Sequence, residues 1–197
     1  WFSLAFGIEQ VHALLDLAAI DSVRPELPDD IIIRQAGSGD RSCLASMSDL
    51  IWKTQIRAPV WAAMMPETIG EVATGWSGLA EDEEAIAWLA MQGGEPVGVQ
   101  VYWPADAAKD NMLIAERSIH LGVAGTRTHL RGKGIGTALT AQGLEHAAAT
   151  GHTTCETDWR STNLLSSRFW PRRGFRPTAY RLARRVDTRI AWASSMG

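Results

Sequence analysis

The sequence predicts an α/β domain with a mixed sheet, and three observations support this fold class. Apolar runs of strand length alternate along the chain with longer segments that have helical spacing. A glycine-rich loop, RGKGIGT at residues 131–137, lies between a predicted strand and a predicted helix. The 197 residues are 46% hydrophobic and 21% charged, which suits one globular domain with a sizeable core.

The predicted elements follow one another as strand, two helices, hairpin, strand, loop, helix, strand, short helix and strand. The predicted strands are short apolar or alternating runs at 31–35, 85–92, 97–103, 115–126, 152–159 and 179–186. The predicted helices lie at 41–56, 67–80, 138–151 and 163–174. In the first helix, Leu44, Met47, Ile51 and Ile56 are expected on one side. The turn GGEP joins the two strands of the hairpin, and EDEE at 81–84 is expected to be a solvated loop.

We divide the chain into three parts. Residues 1–29 are predicted to be an N-terminal extension and linker, because DSVRPELPDD at 21–30 is polar and contains prolines. The domain is expected over residues 30–187, with a C-terminal tail at 188–197. The first 20 residues are also weakly similar to the chain's own end, FWPRRGFRPTAYRLARRVD. They are therefore either the tail of a preceding domain of the same kind or an ordinary extension packed on this one.

Charge and cysteine content limit the class of protein. The net charge of −3 argues against nucleic acid or a membrane surface as the main partner, and the arginines near the C-terminus are the local exception. The first 20 residues include Glu9, His12 and Asp16, so they make a poor signal peptide or membrane span. Cys43 and Cys155 lack the spacing of metal ligands or of a disulfide framework, so we expect no metal and a cytoplasmic protein.

The RGKGIGT loop is the clearest candidate binding feature. Its glycines leave backbone N–H groups uncovered, and the first turn of the following helix has N–H groups without intrahelical partners, so the loop suits an anion. A Walker A loop is excluded because a glycine, rather than Ser or Thr, follows Lys133. A dinucleotide fingerprint is excluded because the three glycines are evenly spaced. The remaining pattern is R-x-x-G-x-G, filled by Arg131, Gly134 and Gly136.

This pattern resembles the pyrophosphate-binding motif of the GNAT acetyltransferase superfamily, and the resemblance runs in register from about Ile31 to Asp187. In the late segment of that family, an Asn precedes a short helix whose aromatic residue stands four positions before a Gly-Phe pair. NLLSSRFWPRRGF matches that segment with Asn163 and Trp170. The resemblance implies a mixed, mostly antiparallel central sheet flanked by helices, with a splayed strand pair at acetyl-CoA. Since tandem members exist, the resemblance adds one interpretation of residues 1–20, the remnant or tail of a first acetyltransferase-like domain, beside that of an ordinary N-terminal extension.

Carried over residue by residue, the resemblance implies a binding site for acetyl-CoA. The loop would hold the pyrophosphate, the end of the preceding strand would pair with the pantetheine arm, and Asn163 would hydrogen-bond that arm. The implied cofactor-binding residues are Gly125, Thr126, Arg131, Gly132, Lys133, Gly134, Ile135, Gly136, Thr137 and Asn163. The other partner would be a small-molecule or protein amine, and the resemblance is compatible with a homodimer.

Acetyl transfer to an amine needs a deprotonated amine, stabilisation of the tetrahedral oxyanion, and a proton for the leaving thiolate. Backbone N–H groups at the strand end could stabilise the oxyanion. Glu116 and His120 are the predicted bases because, with Ser118, they would share one face of the strand at 115–126. The alternative is an ordinary polar strand face. Asp158 and His152 border the next strand and are weaker candidates.

Trp170 departs from the family pattern. It stands where the family commonly has a Tyr that can protonate the thiolate, and an indole N–H has negligible acidity. We predict an acyl-CoA-dependent N-acetyltransferase that moves an acetyl group to a primary amine; the alternative is a non-catalytic acyl-CoA-binding regulatory domain of the same fold. The aromatic and Met residues in the acceptor region of the family suit either an acceptor pocket or a core. These residues are Trp52, Trp61, Met64, Met65 and Trp76.

Overall fold

The computed structural model describes residues 2–20, 25–105 and 114–185. The strands are β1 Gly7–Asp16, β2 Ile31–Gln35, β3 Ile86–Gln92, β4 Glu95–Ala105, β5 Ser118–Thr126, β6 Thr154–Arg160 and β7 Arg176–Ala183. The helices are α1 Arg41–Met47, α2 Asp49–Gln55, α3 Ile69–Gly78, α4 Ile135–Ala149 and α5 Leu164–Arg172. One sheet contains the strands in the order β2-β3-β4-β5-β6-β1-β7. Its pairs are antiparallel except β5 and β6, so the predicted mixed, mostly antiparallel sheet is confirmed.

The first strand lies inside the sheet. β1 pairs with β6 from Gln10 to Asp16 and with β7 along its other edge. Every second side chain of its central part, Val11, Ala13 and Leu15, is buried in the main core, as period-two alternation requires. The division at residue 30 stays a prediction, but the sheet includes a strand from before that boundary.

Helices cover both faces of the sheet. On one face, α4 and α5 join a core with residues such as Tyr102, Leu139, Leu144 and Trp170. On the other face, α1, α2 and α3 pack around a second apolar cluster that includes Leu44 and several side chains of β3 and β4. The C-terminal half of β5 lies between α2 on one face of the sheet and the start of α4 on the other.

Several predicted element bounds differ from the structure. The predicted helix over 41–56 is two helices, because the chain turns at Ser48 and the helical periodicity restarts there. The next buried apolar position after Met47 is consequently Leu50 rather than Ile51, and Ile56 is exposed. The last strand ends at Ala183, two residues before the end of the described part of the chain, so the predicted strand end at 186 and the predicted tail at 188–197 lie outside the described residues.

Candidate active site

A cleft opens where β5 and β6 part. The two strands pair in parallel only over Ser118–Leu121 of β5 and Thr154–Thr157 of β6. Beyond this point β5 pairs with β4 and β6 pairs with β1, so among the described strands nothing pairs with the facing edges of their second halves. The gap forms a cavity of about 670 Å³. Its backbone edge on β5 can hydrogen-bond an extended ligand as an added strand would.

A β-bulge marks the start of the cleft on β5. Val101 of β4 faces Val123 and the next residue, Tyr102, faces Leu121, so Gly122 is the extra residue of the bulge. Gly122 lines the cavity. A Cβ atom at Gly122 would lie 3.0 Å from His120 Nε2 and 3.0 Å from Trp103 Cζ3, so both rings crowd this part of the cavity wall.

The glycine-rich loop closes one end of the cavity. Leu130, just before the loop, and Ile135, within it, are buried and anchor the loop to the core. Gly134 is the N-cap of α4 with φ 83°, in the left-handed region that favours glycine, and no side chain of the described residues caps the helix there. The first N–H groups of this 15-residue helix are therefore available to a ligand, and the helix dipole favours an anion at this end.

Arginine side chains hold the loop against α2. Arg127 donates from Nη1 to Asp49 Oδ1 over 2.9 Å. Arg131 donates from Nε to the Thr126 carbonyl and from Nη2 to Thr54 Oγ1, each over 3.3 Å. These bonds connect the loop to the end of β5 and to α2, so the β5 wall of the cleft is fixed relative to the loop.

The charged side chains of the cavity wall are mostly basic. They are Asp158 and five arginines: Arg131, Arg160, Arg168, Arg172 and Arg173. Arginine binds phosphate through several N–H donors at once, so this wall suits a phosphorylated ligand. From the sequence alone, the arginines near the C-terminus are only a local exception to the net negative charge. Arg168 and Arg172 are four residues apart in a predicted helix, so they share one face of it. This spacing, in the segment that matches the family, is the signal that could have assigned them to the site.

Of the ten predicted cofactor-binding residues, nine line this cavity. They are Gly125, Thr126, Arg131, Gly132, Gly134, Ile135, Gly136, Thr137 and Asn163. Lys133 is exposed on the loop outside the lining. Ile135 is almost completely buried, so only its backbone faces a ligand, and Asn163 caps α5 by accepting from the Ser166 N–H over 3.3 Å. Their binding of a cofactor stays a prediction.

The structure separates the two predicted bases. β5 begins at Ser118, so Glu116 lies in the preceding turn with its side chain exposed, and its predicted place on the strand is wrong. The reason is that pairing with β6 starts only at Ser118, whose hydroxyl hydrogen-bonds with Thr154 Oγ1. His120 lies on β5 beside Gly122, next to the cavity wall. Neither predicted base is among the residues that line the cavity, and their catalytic roles stay predictions.

A buried carboxylate that the sequence analysis missed lies beside His120. Glu156 is opposite His120 in the register of β5 and β6, and it is 5% exposed. Its Oε2 lies 3.8 Å from His120 Nδ1, and its Oε1 lies 3.7 Å from His12 Nδ1 on β1. The local pattern of HTTCETDW does not indicate this burial, because the groups around Glu156 come from strands remote in sequence.

Trp170 is an aromatic core residue that also lines the cavity. Its ring is 4.8 Å from the Phe169 ring and 5.4 Å from the Phe175 ring, both edge to face. In the segment between α2 and α3, by contrast, Trp61 is 73% exposed and Met65 is 59% exposed. These two residues of the predicted acceptor region are therefore not core.

Two absences hold for the part of the chain that the structure describes. No group of three or more His, Cys, Asp or Glu side chains there could hold a metal ion. No helix in that part of the chain is long and apolar enough to cross a membrane.

Comparisons with known proteins agree with this geometry. The model of the acetyltransferase (GNAT) family matches residues 47–175. A tandem GNAT protein from the clavulanic acid biosynthesis pathway has a TM-score of 0.63 and 16% identity, over 92% of this chain and 55% of its own. A GCN5-related N-acetyltransferase from Sphaerobacter thermophilus has a TM-score of 0.64 and 17% identity, over 90% of this chain and 51% of its own. No curated protein matches the sequence.

A third structure contains a ligand. The PaiA N-acetyltransferase from Thermoplasma acidophilum, in complex with coenzyme A, has a TM-score of 0.56 and 14% identity, over 72% of this chain and 87% of its own. At these identities the likenesses show a shared fold, and the chain spans about half the length of the first two structures. Because the family model matches well over half of the chain, the chain belongs to the GNAT acetyltransferase family.

Proposed function

We propose that this domain is an acetyl-CoA-dependent N-acetyltransferase that transfers the acetyl group to a primary amine of a small molecule or a protein. The observation that carries the proposal is the splay of β5 from β6, with an uncapped helix start at one end of the cleft and an imidazole beside the other. The coenzyme A complex of the PaiA enzyme adds support from the family.

The cleft suits each part of acetyl-CoA. The pyrophosphate would accept hydrogen bonds from the first N–H groups of α4, and the arginines of the cavity wall would pair with the phosphates. The pantetheine arm would lie along the free edge of β5 near Gly125 and Thr126, with Asn163 on the opposite wall. This orientation would bring the thioester to the bulge at Gly122.

The chemistry needs one base and one oxyanion donor at the bulge. We assign the base to His120, because its Nε2 faces Gly122 and imidazole is the side chain whose ordinary titration falls nearest neutral pH. Glu116 is the weaker assignment, since it is exposed in the turn before β5. Unpaired N–H groups of β5 beyond the bulge would stabilise the oxyanion. The thiolate would then take a proton from water, since an ordinary thiol has a pKa of about 8.5.

The alternative is a domain that binds acyl-CoA without turnover. Trp170 favours it, because the indole is packed between Phe169 and Phe175 and offers no acidic proton to the thiolate. Release of free thiol from acetyl-CoA, measured with a panel of amines, distinguishes the two functions. Saturable binding of acetyl-CoA without thiol release for any amine would favour the alternative.

The placement of the phosphates is tested by Lys133→Glu, assayed with acetyl-CoA and with acetyl-pantetheine, which has no phosphate. Lys133 is exposed, so the change should leave the fold intact while adding repulsion at the loop. We expect KM for acetyl-CoA to rise about tenfold, equivalent to about 1.4 kcal/mol, with acetyl-pantetheine unaffected.

A matched control is Arg184→Glu, which changes the net charge equally at an exposed residue after β7, at the far edge of the sheet. This variant should bind both donors as the wild type does. Equal losses for acetyl-CoA and acetyl-pantetheine in Lys133→Glu would contradict binding of the phosphates at the loop.

A further inference from the structure

Three polar side chains meet on one face of the sheet, each from a different strand. His120 of β5 faces Glu156 of β6 in register, and His12 of β1 faces Asp158, two residues along β6. Because side chains two residues apart share a strand face, Glu156 and Asp158 point to the same side. Each carboxylate oxygen of Glu156 therefore has an imidazole Nδ1 beside it, at 3.7 Å for His12 and 3.8 Å for His120.

The carboxylate of Glu156 is buried without a complete set of partners. Its side chain is 7% exposed, and neither Oε2 nor His12 Nδ1 has a hydrogen-bond partner among the described residues. Burying an unpaired carboxylate is costly unless a positive group or hydrogen bonds compensate. Both distances exceed a hydrogen bond by about 0.7 Å, and such contacts in ligand-free sites often shorten only when substrate binds.

The His120 ring joins this cluster to the cleft. Its Nε2 is 3.0 Å from the position that a Cβ at Gly122 would take, while its Nδ1 faces Glu156. A base with one nitrogen toward the reacting group and the other held by a carboxylate is the arrangement that orients imidazole and stabilises its charged form. His12 lies on the other side of the carboxylate and is 25% exposed, so it connects the cluster to water.

We propose that Glu156 and His12 are positioning residues that complete a proton relay with His120, so that β1 takes part in the reaction. This inference rests on the proposed acetyl transfer. An N–H bond of the acceptor ammonium breaks as a bond forms between that proton and His120 Nε2. The Nδ1–H bond of His120 breaks as that proton passes to Glu156, and His12 passes a proton from Glu156 to water. The neutral amine attacks the thioester carbonyl, the C–S bond breaks, and the second proton lost from the nitrogen reaches the thiolate through water. Ammonium and thioester thus become amide and thiol, and one proton leaves to solvent.

The charged and titratable groups around the relay are few. On β6, Asp158 faces His12 across the strand pair, and on β1 Asp16 faces Thr154. On β4, Trp103 lies opposite His120 and donates to Asp82 over 3.2 Å. β7 places Ala179 opposite His12. The next charge along this face of β6 is the carboxylate of Asp158, which favours the approach of a cationic amine, and Arg160 beyond it is paired with Glu9.

The test uses Glu156→Gln and His12→Gln in the full chain, with His146→Gln as the control. His146 lies on α4, on the other face of the sheet, where its ring packs against Trp88. The wild type and each variant are assayed for kcat and for KM of acetyl-CoA between pH 6 and pH 10, with and without added imidazole. Thermal unfolding of each variant reports whether the fold is intact.

We expect Glu156→Gln to lower kcat about a hundredfold near pH 7 with KM for acetyl-CoA unchanged, the scale of a lost acid-base contribution. His12→Gln should lower kcat about tenfold. Both deficits should shrink as pH approaches the pKa of the acceptor amine, where free base becomes abundant. Added imidazole should restore part of the kcat of His12→Gln, since a base in solution can take the place of His12 at the solvent end of the relay.

The outcomes separate this inference from the proposed function. A wild type that transfers acetyl to no amine in the panel overturns both. An active wild type with Glu156→Gln and His12→Gln variants that keep its kcat and pH profile overturns the relay alone. Losses that are independent of pH, accompany a lowered melting temperature and are not rescued by imidazole mean a structural role, which also overturns the relay.

Discussion

Helix α4 approaches the sheet closely at Gly143, and this approach predicts the effect of a single methyl group. A Cβ at this position would lie 2.4 Å from two ring carbons of Tyr102 and from its hydroxyl oxygen, about 1 Å inside ordinary contact. The ring cannot move freely, because Tyr102 is fully buried and its hydroxyl donates to Gln100 Oε1 over 2.6 Å. Gln100 in turn donates to Thr140 Oγ1 of α4 over 2.8 Å.

Gly143→Ala should therefore destabilise the domain. Overpacking of this kind costs about 1–3 kcal/mol, and the clash here belongs at the upper end. The gain in helix propensity from Gly to Ala offsets up to about 1 kcal/mol of that cost. We expect a net loss of about 2 kcal/mol in the free energy of unfolding, or about 4–8 °C in Tm for a domain of this size.

Gly75→Ala is the matched control, because Gly75 lies inside α3 and a Cβ there meets nothing within 4 Å. This variant should stabilise the protein by about 0.5–1 kcal/mol through helix propensity alone. Urea unfolding of both variants measures the difference. Combining Gly143→Ala with Tyr102→Leu should recover about 1 kcal/mol relative to the sum of the single changes, since the clash is shared. Equal effects of the two glycine substitutions would refute the close approach.

Two other predictions concern an ion pair and the aromatic residue of the cleft. Hydrogen bonds from Arg34 and from the Gly37 N–H lower the pKa of Asp40 to about 2, against the opposing effect of its burial. The lowered pKa means that the ionised Asp40 stabilises the folded state. This contribution to the free energy of unfolding is fully present above about pH 4 and is lost as pH falls toward 2. Between pH 6 and pH 2.5, the decrease in the free energy of unfolding should be about 1–2 kcal/mol smaller in Asp40→Asn than in the wild type, measured by urea unfolding. Trp170→Phe should change kcat less than about a hundredfold; a larger loss in a folded variant, checked by thermal unfolding, would give the indole a role in catalysis.

Local chemistry made parts of this fold predictable. The hairpin follows from two apolar runs joined by GGEP, and the loop follows from glycine spacing ahead of a helix. The start of β5 at Ser118 and the break at Ser48 were not predictable in this way, because pairing and packing with remote segments set them. The burial of Glu156 is the clearest case, since its neighbours His12 and His120 meet it only through the strand order.

The structure also changes how the motif should be tested. From the motif alone, Gly134 is the obvious residue to replace with a bulky acid. Gly134 has φ 83°, however, and a Cβ there would lie 3.0 Å from Pro25 Cβ. A substitution would strain the backbone and displace the segment before β2, so a loss of binding could not be assigned to the phosphates. Lys133 carries the same test without that strain, because it is exposed.

Strand β1 connects the cleft between β5 and β6 with the proposed proton relay. The second half of β6, from Asp158 to Arg160, takes its backbone partners from β1 at Gln10–His12 rather than from β5. The backbone groups on the β1 side of β6 are therefore hydrogen-bonded, so only the side that faces β5 is left unpaired. β6 can diverge from β5 on that side, and the cleft stays open. The same strand places His12 beside Glu156. A strand outside the segment matched by the family model therefore supports the binding cleft and, in our proposal, the proton relay.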